Sequence, residues 1–354
     1  MIKITLLLLS IFTLQLSIAQ QNKNDYRQRI SLIQNNINQY FYDPKTGLYI
    51  ETTDSAKNEH PHSYLWPLCA LIQATNEADA LAKANTMQPV VKAIDQYYSP
   101  RPPAPGYQAY VAKEKKDTRF YDDNQWVAIA YLDAYNRTHQ PFYLDKSKEI
   151  ERFMMTGFDL LSGGGLYWEE DHKTSKNTCS NGPGILILLQ LYNITQQKPY
   201  LDTALLLYNW VNKHLQSPEG LYYDNIKIPS LEIGKALYTY NTGTMLQAAV
   251  LLYKITQNKE YLTEAERIAK AAKEQFYKNG KLPDNYWINA VLVRGFIEFY
   301  KVDKNKPQLQ FLMDDAERIW KEERDENNLL GKKKAKTLID QAAMMETYAR
   351  LAEL

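Results

Sequence analysis

Two kinds of apolar pattern alternate along this chain. The first keeps its apolar residues on one face and Lys, Glu, Gln and Asp on the other. It recurs over Tyr26–Phe41, Glu77–Tyr98, Tyr143–Leu160, Tyr200–Leu215, Glu260–Tyr277 and Gln308–Arg324. Apolar spacings of three and four predict an amphipathic helix in each. The second kind is apolar nearly all round: YLWPLCALIQAT from Tyr64, NQWVAIAYLDAY from Asn124, PGILILLQLYNIT from Pro183, TGTMLQAAVLLYKI from Thr242, INAVLVRGFIEFY from Ile288 and DQAAMMETYARLAEL from Asp340. A helix apolar on every side is buried on every side.

Between the two helices of each pair stands a glycine, in the first four pairs within an aromatic-rich turn. These are Gly47, Gly106, Gly165, Gly220, Gly280 and Gly331, spaced 59, 59, 55, 60 and 51 residues apart. So even a period along the whole chain marks a repeat architecture. Six amphipathic helices alternating with six buried ones predict an outer ring around an inner ring. That is an all-α (α/α)6 barrel, a single domain over residues 20–354, with short β-hairpins such as GLYYD from Gly220 in its loops. The Pro-rich stretch Ser99–Gly106 falls on a unit boundary and reads as a rigid loop.

Residues 1–19 stand outside the pattern. Lys3 precedes a nearly unbroken apolar run, Ile4–Leu16, and Ser17-Ile18-Ala19 places small residues at cleavage spacing. This predicts an export signal peptide cut before Gln20. The run is too short for a spanning helix, and no Cys follows it to carry a lipid anchor. The mature chain is expected to be soluble and monomeric, in the periplasm or outside the cell.

Charge and composition narrow the chemistry. With 42 basic and 41 acidic residues the net charge is +1, which gives no electrostatic case for nucleic acid or anionic lipid. The 27 Tyr and 6 Trp offer flat apolar faces with a polar edge, suited to sugar rings, although packing between helices accounts for them equally well. Cys69 and Cys179 are expected as two buried free thiols. His60 and His62 lie in a polar loop without matching partners, so neither a metal nor another cofactor is expected.

In such a ring the loops between outer and inner helices all open at one end, the N-terminal mouth of the inner helices. The residues expected to converge there include Trp66, Tyr121, Asp122, Asp123, Trp126, Trp168, Asn177, Asn181, Tyr240, Asn241 and Trp287. Carboxylates, amides and aromatic faces in a concave end read as a carbohydrate site. The pair Asp122-Asp123 has two readings. Asp is a favoured helix cap, and acids suit the positive end of a helix. Two adjacent buried carboxylates, however, repel and push one pKa up. That is the condition for a general acid beside an ionised nucleophile. Retaining glycosidases hold their carboxyls about 5–5.5 Å apart, a separation neighbours can reach at the first turn of a helix. Trp66, Trp126 and Trp287 read either as packing or as sugar platforms, and Asn241 either as a cap or as a hydroxyl binder.

The sequence resembles glycoside hydrolase family 76, the α-1,6-mannanases. The resemblance is carried by Asp122-Asp123-Asn124-Gln125-Trp126, by GGLYWEE (Gly164–Glu170), by KNTCSNGP (Lys176–Pro183), by YNTGTML (Tyr240–Leu246) and by RGFIEFY at Arg294, in the family's order. It implies an (α/α)6 barrel that cleaves α-1,6-mannosidic bonds of mannan with retention and without a metal. Asp122 would be the nucleophile and Asp123 the general acid/base. Trp168, Tyr240, Asn241, Asn177 and Asn181 would contact substrate. Two departures stand out: Val127 replaces a second Trp, and Thr242 replaces a Gln. Other readings are a different (α/α)6 enzyme (uronide hydrolase, lyase or epimerase) and a glycan-binding barrel without turnover.

Overall fold

The computed structural model describes residues 23–354, so the expected signal peptide lies outside the described residues. Twelve helices alternate in role. The outer ones are α1 (23–40), α3 (Gln88–Asp95), α5 (Pro141–Met155), α7 (Lys198–Leu215), α9 (Lys259–Phe276) and α11 (Gln310–Glu322). The inner ones are α2 (Leu65–Ala82), α4 (Tyr121–Thr138), α6 (Thr178–Thr195), α8 (Thr239–Thr256), α10 (Tyr286–Asp303) and α12 (Leu338–Ala352). Short antiparallel strands occupy the loops: β1 (Tyr42–Asp43) with β2 (Leu48–Tyr49), β3 (Tyr98–Ser99) with β4 (Gly106–Tyr107), and a three-stranded sheet of β5 (Ser175–Asn177), β6 (Tyr223–Lys227) and β7 (Ile233–Leu237).

The inner ring closes. α2 packs on α4, α4 on α6, α6 on α8, α8 on α10, α10 on α12, and α12 back on α2. Burial follows the sequence pattern. In α6 every residue from Thr178 to Leu191 is buried, whereas α9 buries one stripe, Ala265, Ile268, Ala269, Ala272 and Phe276. α1 joins the first unit to the last: Tyr26 stacks on Tyr348 of α12 at 5.6 Å, and Arg29 pairs with Glu317 of α11. Glycine sets the closest approach of two inner helices. A Cβ on Gly243 of α8 would stand 2.7 Å from Leu292 Cα of α10, and one on Gly295 2.5 Å from Gly243 O. Five of the six repeat glycines have positive φ. Gly106 is needed for another reason, since a Cβ there would meet the Phe153 ring at 2.9 Å.

One boundary differs from expectation. The pattern predicts an outer helix over Glu77–Tyr98, but α2 runs on to Ala82 and α3 covers only Gln88–Asp95. Lys83 ends α2 in the left-handed region (φ 54°), and Asp79 accepts hydrogen bonds from Thr86 N (2.7 Å) and Thr86 Oγ1 (2.8 Å), which fixes the intervening turn. The same left-handed stop follows α4, α6, α8 and α10, at His139, Gln196, Gln257 and Lys304. Two-residue links such as His139–Gln140 and Gln196–Gln197 then start the next outer helix. The far end of the barrel is therefore built of tight turns and the mouth of long loops. No described helix is long and apolar enough to cross a membrane.

Because the inner helices start at the mouth and run parallel, equal positions along them form layers. The ninth residues are Gln73, Ile129, Leu186, Gln247, Arg294 and Glu346, about 12 Å below the helix starts at 1.5 Å per residue. The thirteenth are Glu77, Asp133, Gln190, Leu251, Glu298 and Arg350. Arg294 Nη2 reaches Asp133 Oδ2 at 2.7 Å, and α10 stands opposite α4 in the ring, so this pair bridges the barrel axis.

Candidate active site

The mouth loops are anchored from below. In three units a buried cation stands two residues before the inner helix. Arg119 is fully buried and donates to Glu170 Oε2 (2.7 Å), Arg101 O (3.1 Å), Ala104 O (2.8 Å) and Pro102 O (3.3 Å), which holds the Pro-rich loop. Lys176 Nζ, also fully buried, donates to Asp159 Oδ1 (2.6 Å), Leu161 O (2.8 Å) and Gly164 O (2.6 Å). Lys336 Nζ donates to Gly331 O. In the same three units the fourth residue of the helix carries a carboxamide that clamps a loop backbone. Asn124 accepts from Tyr107 N (2.7 Å) and donates to Tyr107 O (2.8 Å). Asn181 does the same with Leu166 (2.7 and 3.0 Å), and Gln341 with Leu330 (2.8 and 2.8 Å).

On this base the second residues of the inner helices form the floor. Trp66, Asp122, Cys179, Tyr240 and Trp287 all line one cavity of about 770 Å³. Trp287 packs edge-on against Trp66 (5.8 Å) and against Trp126 (5.5 Å). Trp126 and Trp287 are 1% and 6% exposed, so they shape the floor more than they offer a face. Trp168 is 39% exposed and packs on Phe120. Its backbone carbonyl accepts from Tyr121 N (2.9 Å), which fixes its loop to the head of α4.

Asp122 and Asp123 are the second and third residues of α4. Phe120, not an Asp, is the N-cap, and both carboxyl groups line the cavity. The pair is unequal. Burial pushes Asp122 up to about 6, opposed by the neighbouring Cys179 and by hydrogen bonds from Trp168 Nε1 (3.1 Å) and from Asp123 N (3.1 Å). Burial and the neighbouring charge of Asp122 push Asp123 well above the ordinary carboxyl range, with no donor opposing them. Asp122 is the member held toward ionisation and Asp123 the member that keeps its proton.

The other expected residues separate into two groups. Asn177 lines the cavity, and its Oδ1 accepts from Ser175 Oγ (2.7 Å). Tyr121, Asn181 and Asn241 do not line it. Tyr121 is fully buried over Gly157, with its hydroxyl on Thr156 Oγ1 (3.2 Å). The amide of Asn181 is taken up by the loop clamp. Asn241 is fully buried behind Asp224. Val127 and Thr242, the two departures from the family pattern, are also fully buried and off the cavity. His62 sits 2.8 Å from Glu114, outside the cavity wall. Asp224 and Asn225 of β6 are cavity residues that the sequence reading missed. Asp224 stands where the β6–β7 register shifts, its carboxyl raised by burial and held by Asn225 Nδ2 (2.7 Å). A bulge re-aims a side chain, and only the aromatic turn Gly220–Asp224 hinted at it.

Fold and cavity together define an (α/α)6 barrel with a carboxylate-centred cleft of the carbohydrate-binding kind. The chain belongs to Glycosyl hydrolase family 76, whose pattern it matches over residues 25–352. It is similar to a family 76 mannosidase of Bacteroides thetaiotaomicron VPI-5482, at 27% identity over 93% of this chain and 98% of that one, with a TM-score of 0.85. An inactive variant of an α-1,6-mannanase of Salegentibacter sp. HEL1_6, solved with α-1,6-mannotriose, shares the fold at 22% identity, covering 93% of this chain and 99% of that one (TM-score 0.80). The mannan endo-1,6-alpha-mannosidase of Saccharomyces cerevisiae is 26% identical over 184 residues, 48% of this chain. The chain spans about 41% of that relative's length.

Proposed function

We propose that this chain, after export, hydrolyses the α-1,6-mannosidic bonds of mannan with retention of configuration. The asymmetry of the Asp pair carries the reading: Trp168 Nε1 and Asp123 N donate to Asp122, and among the described residues no donor reaches the carboxyl of Asp123. Asp122 attacks the anomeric carbon while Asp123 gives its proton to the departing glycosidic oxygen. The resulting glycosyl ester on Asp122 is then opened by water, whose proton Asp123 takes up, and both carboxyl groups return to their starting states. The names of the relatives support mannan as substrate. The charge of the wall supports a neutral sugar: it carries Asp117, Asp122, Asp123 and Asp224 against Lys115, which disfavours a uronate.

The test is product analysis on unbranched α-1,6-mannan, run beside Asp122→Asn and Asp123→Asn, with the anomer of the first product read by proton NMR. Release of α-configured manno-oligosaccharides or mannose by the native chain, lost in both variants, is the expected result. A β-configured first product would refute retention. A folded native chain that releases nothing would refute the activity.

A further inference from the structure

We propose that Ser175 is a positioning residue: its hydroxyl holds the Asn177 carboxamide so that the amide nitrogen opens on the cavity and donates to a sugar hydroxyl. The inference rests on the functional reading above. Its geometry starts from a strand. Ser175 and Asn177 stand two residues apart in β5 and so share one face of it, and both line the cavity. Ser175 Oγ donates to Asn177 Oδ1 at 2.7 Å. The backbone beneath them is fixed at three points. Asn177 pairs with Asn225 of β6, its carbonyl accepts from Asn181 Nδ2 (2.8 Å), and the Ser175 carbonyl accepts from Trp168 N (3.1 Å).

Asn177 is also the N-cap of α6, where an asparagine side chain ordinarily accepts from the first turn of its helix. Here it makes no such bond. Its Oδ1 is committed to Ser175, and among the described residues nothing takes up Nδ2. Asn225, the other carboxamide of the cavity wall, makes the contrast. It spends Nδ2 on the Asp224 carboxyl (2.7 Å), and its Oδ1 is shut in without a partner, whereas Asn177 Nδ2 is not shut in. A carboxamide turned end for end keeps its shape and exchanges donor for acceptor. Ser175 therefore decides which end meets the sugar. Acceptors are plentiful in this wall, which carries Asp117, Asp122, Asp123 and Asp224, and the serine presents a neutral donor among them.

The experiment titrates α-1,6-mannotriose calorimetrically into chains that all carry Asp123→Asn, so that the sugar is not consumed. Ser175→Ala and Asn177→Ala should each raise Kd by about 3–10-fold, the range for one hydrogen bond. The double change should bind no more weakly than Asn177→Ala alone, because a residue that acts through Asn177 then has nothing to act on. Ser175→Thr keeps the hydroxyl and should bind as the native residue does. With Asp123 intact, Ser175→Ala should raise KM and leave kcat unchanged. A second readout needs no sugar: the side-chain carbonyl carbon of Asn177, followed by carbon-13 NMR, should shift in Ser175→Ala and stay in Ser175→Thr. Native affinity in Ser175→Ala, losses that add in the double change, or a carbonyl signal that does not move overturns the proposal. A chain that shows the carbonyl shift but binds no mannotriose refutes the functional reading and upholds the Ser175–Asn177 link.

Discussion

The mouth and the interior of the inner ring bury carboxylates under opposite conditions. In the ninth and thirteenth layers Asp133 pairs with Arg294 (2.7 Å), while Glu77 and Glu346 share Arg350 (3.1 and 2.8 Å). At the mouth, among the described residues, no cation pairs with Asp122 or Asp123. Burial raises the carboxyl pKa in both regions, but arginine opposes the rise for Asp133 and Glu346, and only hydrogen bonds oppose it for Asp122. Burial alone thus does not mark a reactive acid. What separates the two regions is the missing countercharge, together with loops long enough to form a cavity over the mouth and short turns that close the far end.

The sharpest break of this contrast is at the mouth. Asp122→Asn or Asp123→Asn should lower kcat on α-1,6-mannan by about 10³-fold or more, consistent with the 10²–10⁴ a positioned acid or base supplies. Steady-state rates on purified, folded variants check it. In the interior the same kind of change should act on folding instead. Arg294→Met strands Asp133 and should cost about 3–5 kcal/mol in denaturant unfolding, and the double change Asp133→Leu with Arg294→Met should recover most of it. If the single change lowered kcat without loss of stability, the division of labour would be wrong.

A smaller effect has the opposite sign. The folded pKa of Asp123 is raised, so near neutral pH the folded chain keeps a proton that the unfolded chain has released. Stability from this group therefore grows as pH falls, until the unfolded carboxyl is protonated too, near its ordinary value of 3.8. Asp123→Asn should then be more stable than the native chain at pH 7 by about 1–3 kcal/mol, a gain of roughly 1.5–4 °C in Tm for a chain of this size, and indistinguishable below about pH 4. Calorimetry at both pH values would show it, and equal melting at pH 7 would count against a protonated Asp123. The smallest effect expected is for Trp168→Phe, which keeps the stacking on Phe120 and loses the 3.1 Å donor to Asp122. Below the acid limb kcat/KM should fall by about 3–10-fold, with less change above it.

Much of the fold was legible because a period near 59 residues and all-round apolar helices leave few alternatives to a double ring. That Asp122 and Asp123 face the cavity could be expected because two adjacent acids exceed what one helix cap requires. Asn181 was misread as a sugar contact because an amide before an apolar helix looks the same whether it faces a ligand or a loop. Its role shows only when Asn124 and Gln341 are seen at the same helical position making the same bonds. Asp224 was missed because its aim depends on a strand register that three-residue and five-residue strands do not announce. The end of α2 was misplaced because Lys83 takes a left-handed conformation that nothing in a lysine side chain foretells.

The buried cations under the loops bear on how a ligand arrives. Arg119, Lys176 and Lys336 fasten the loops of units two, three and six to the ring, so this much of the rim is in place before any sugar enters. A preorganised site lowers the ordering cost of association. If these three loops frame the site, they leave no closing step of their own to wait for, and oligosaccharide capture should be a single kinetic phase whose rate rises linearly with concentration.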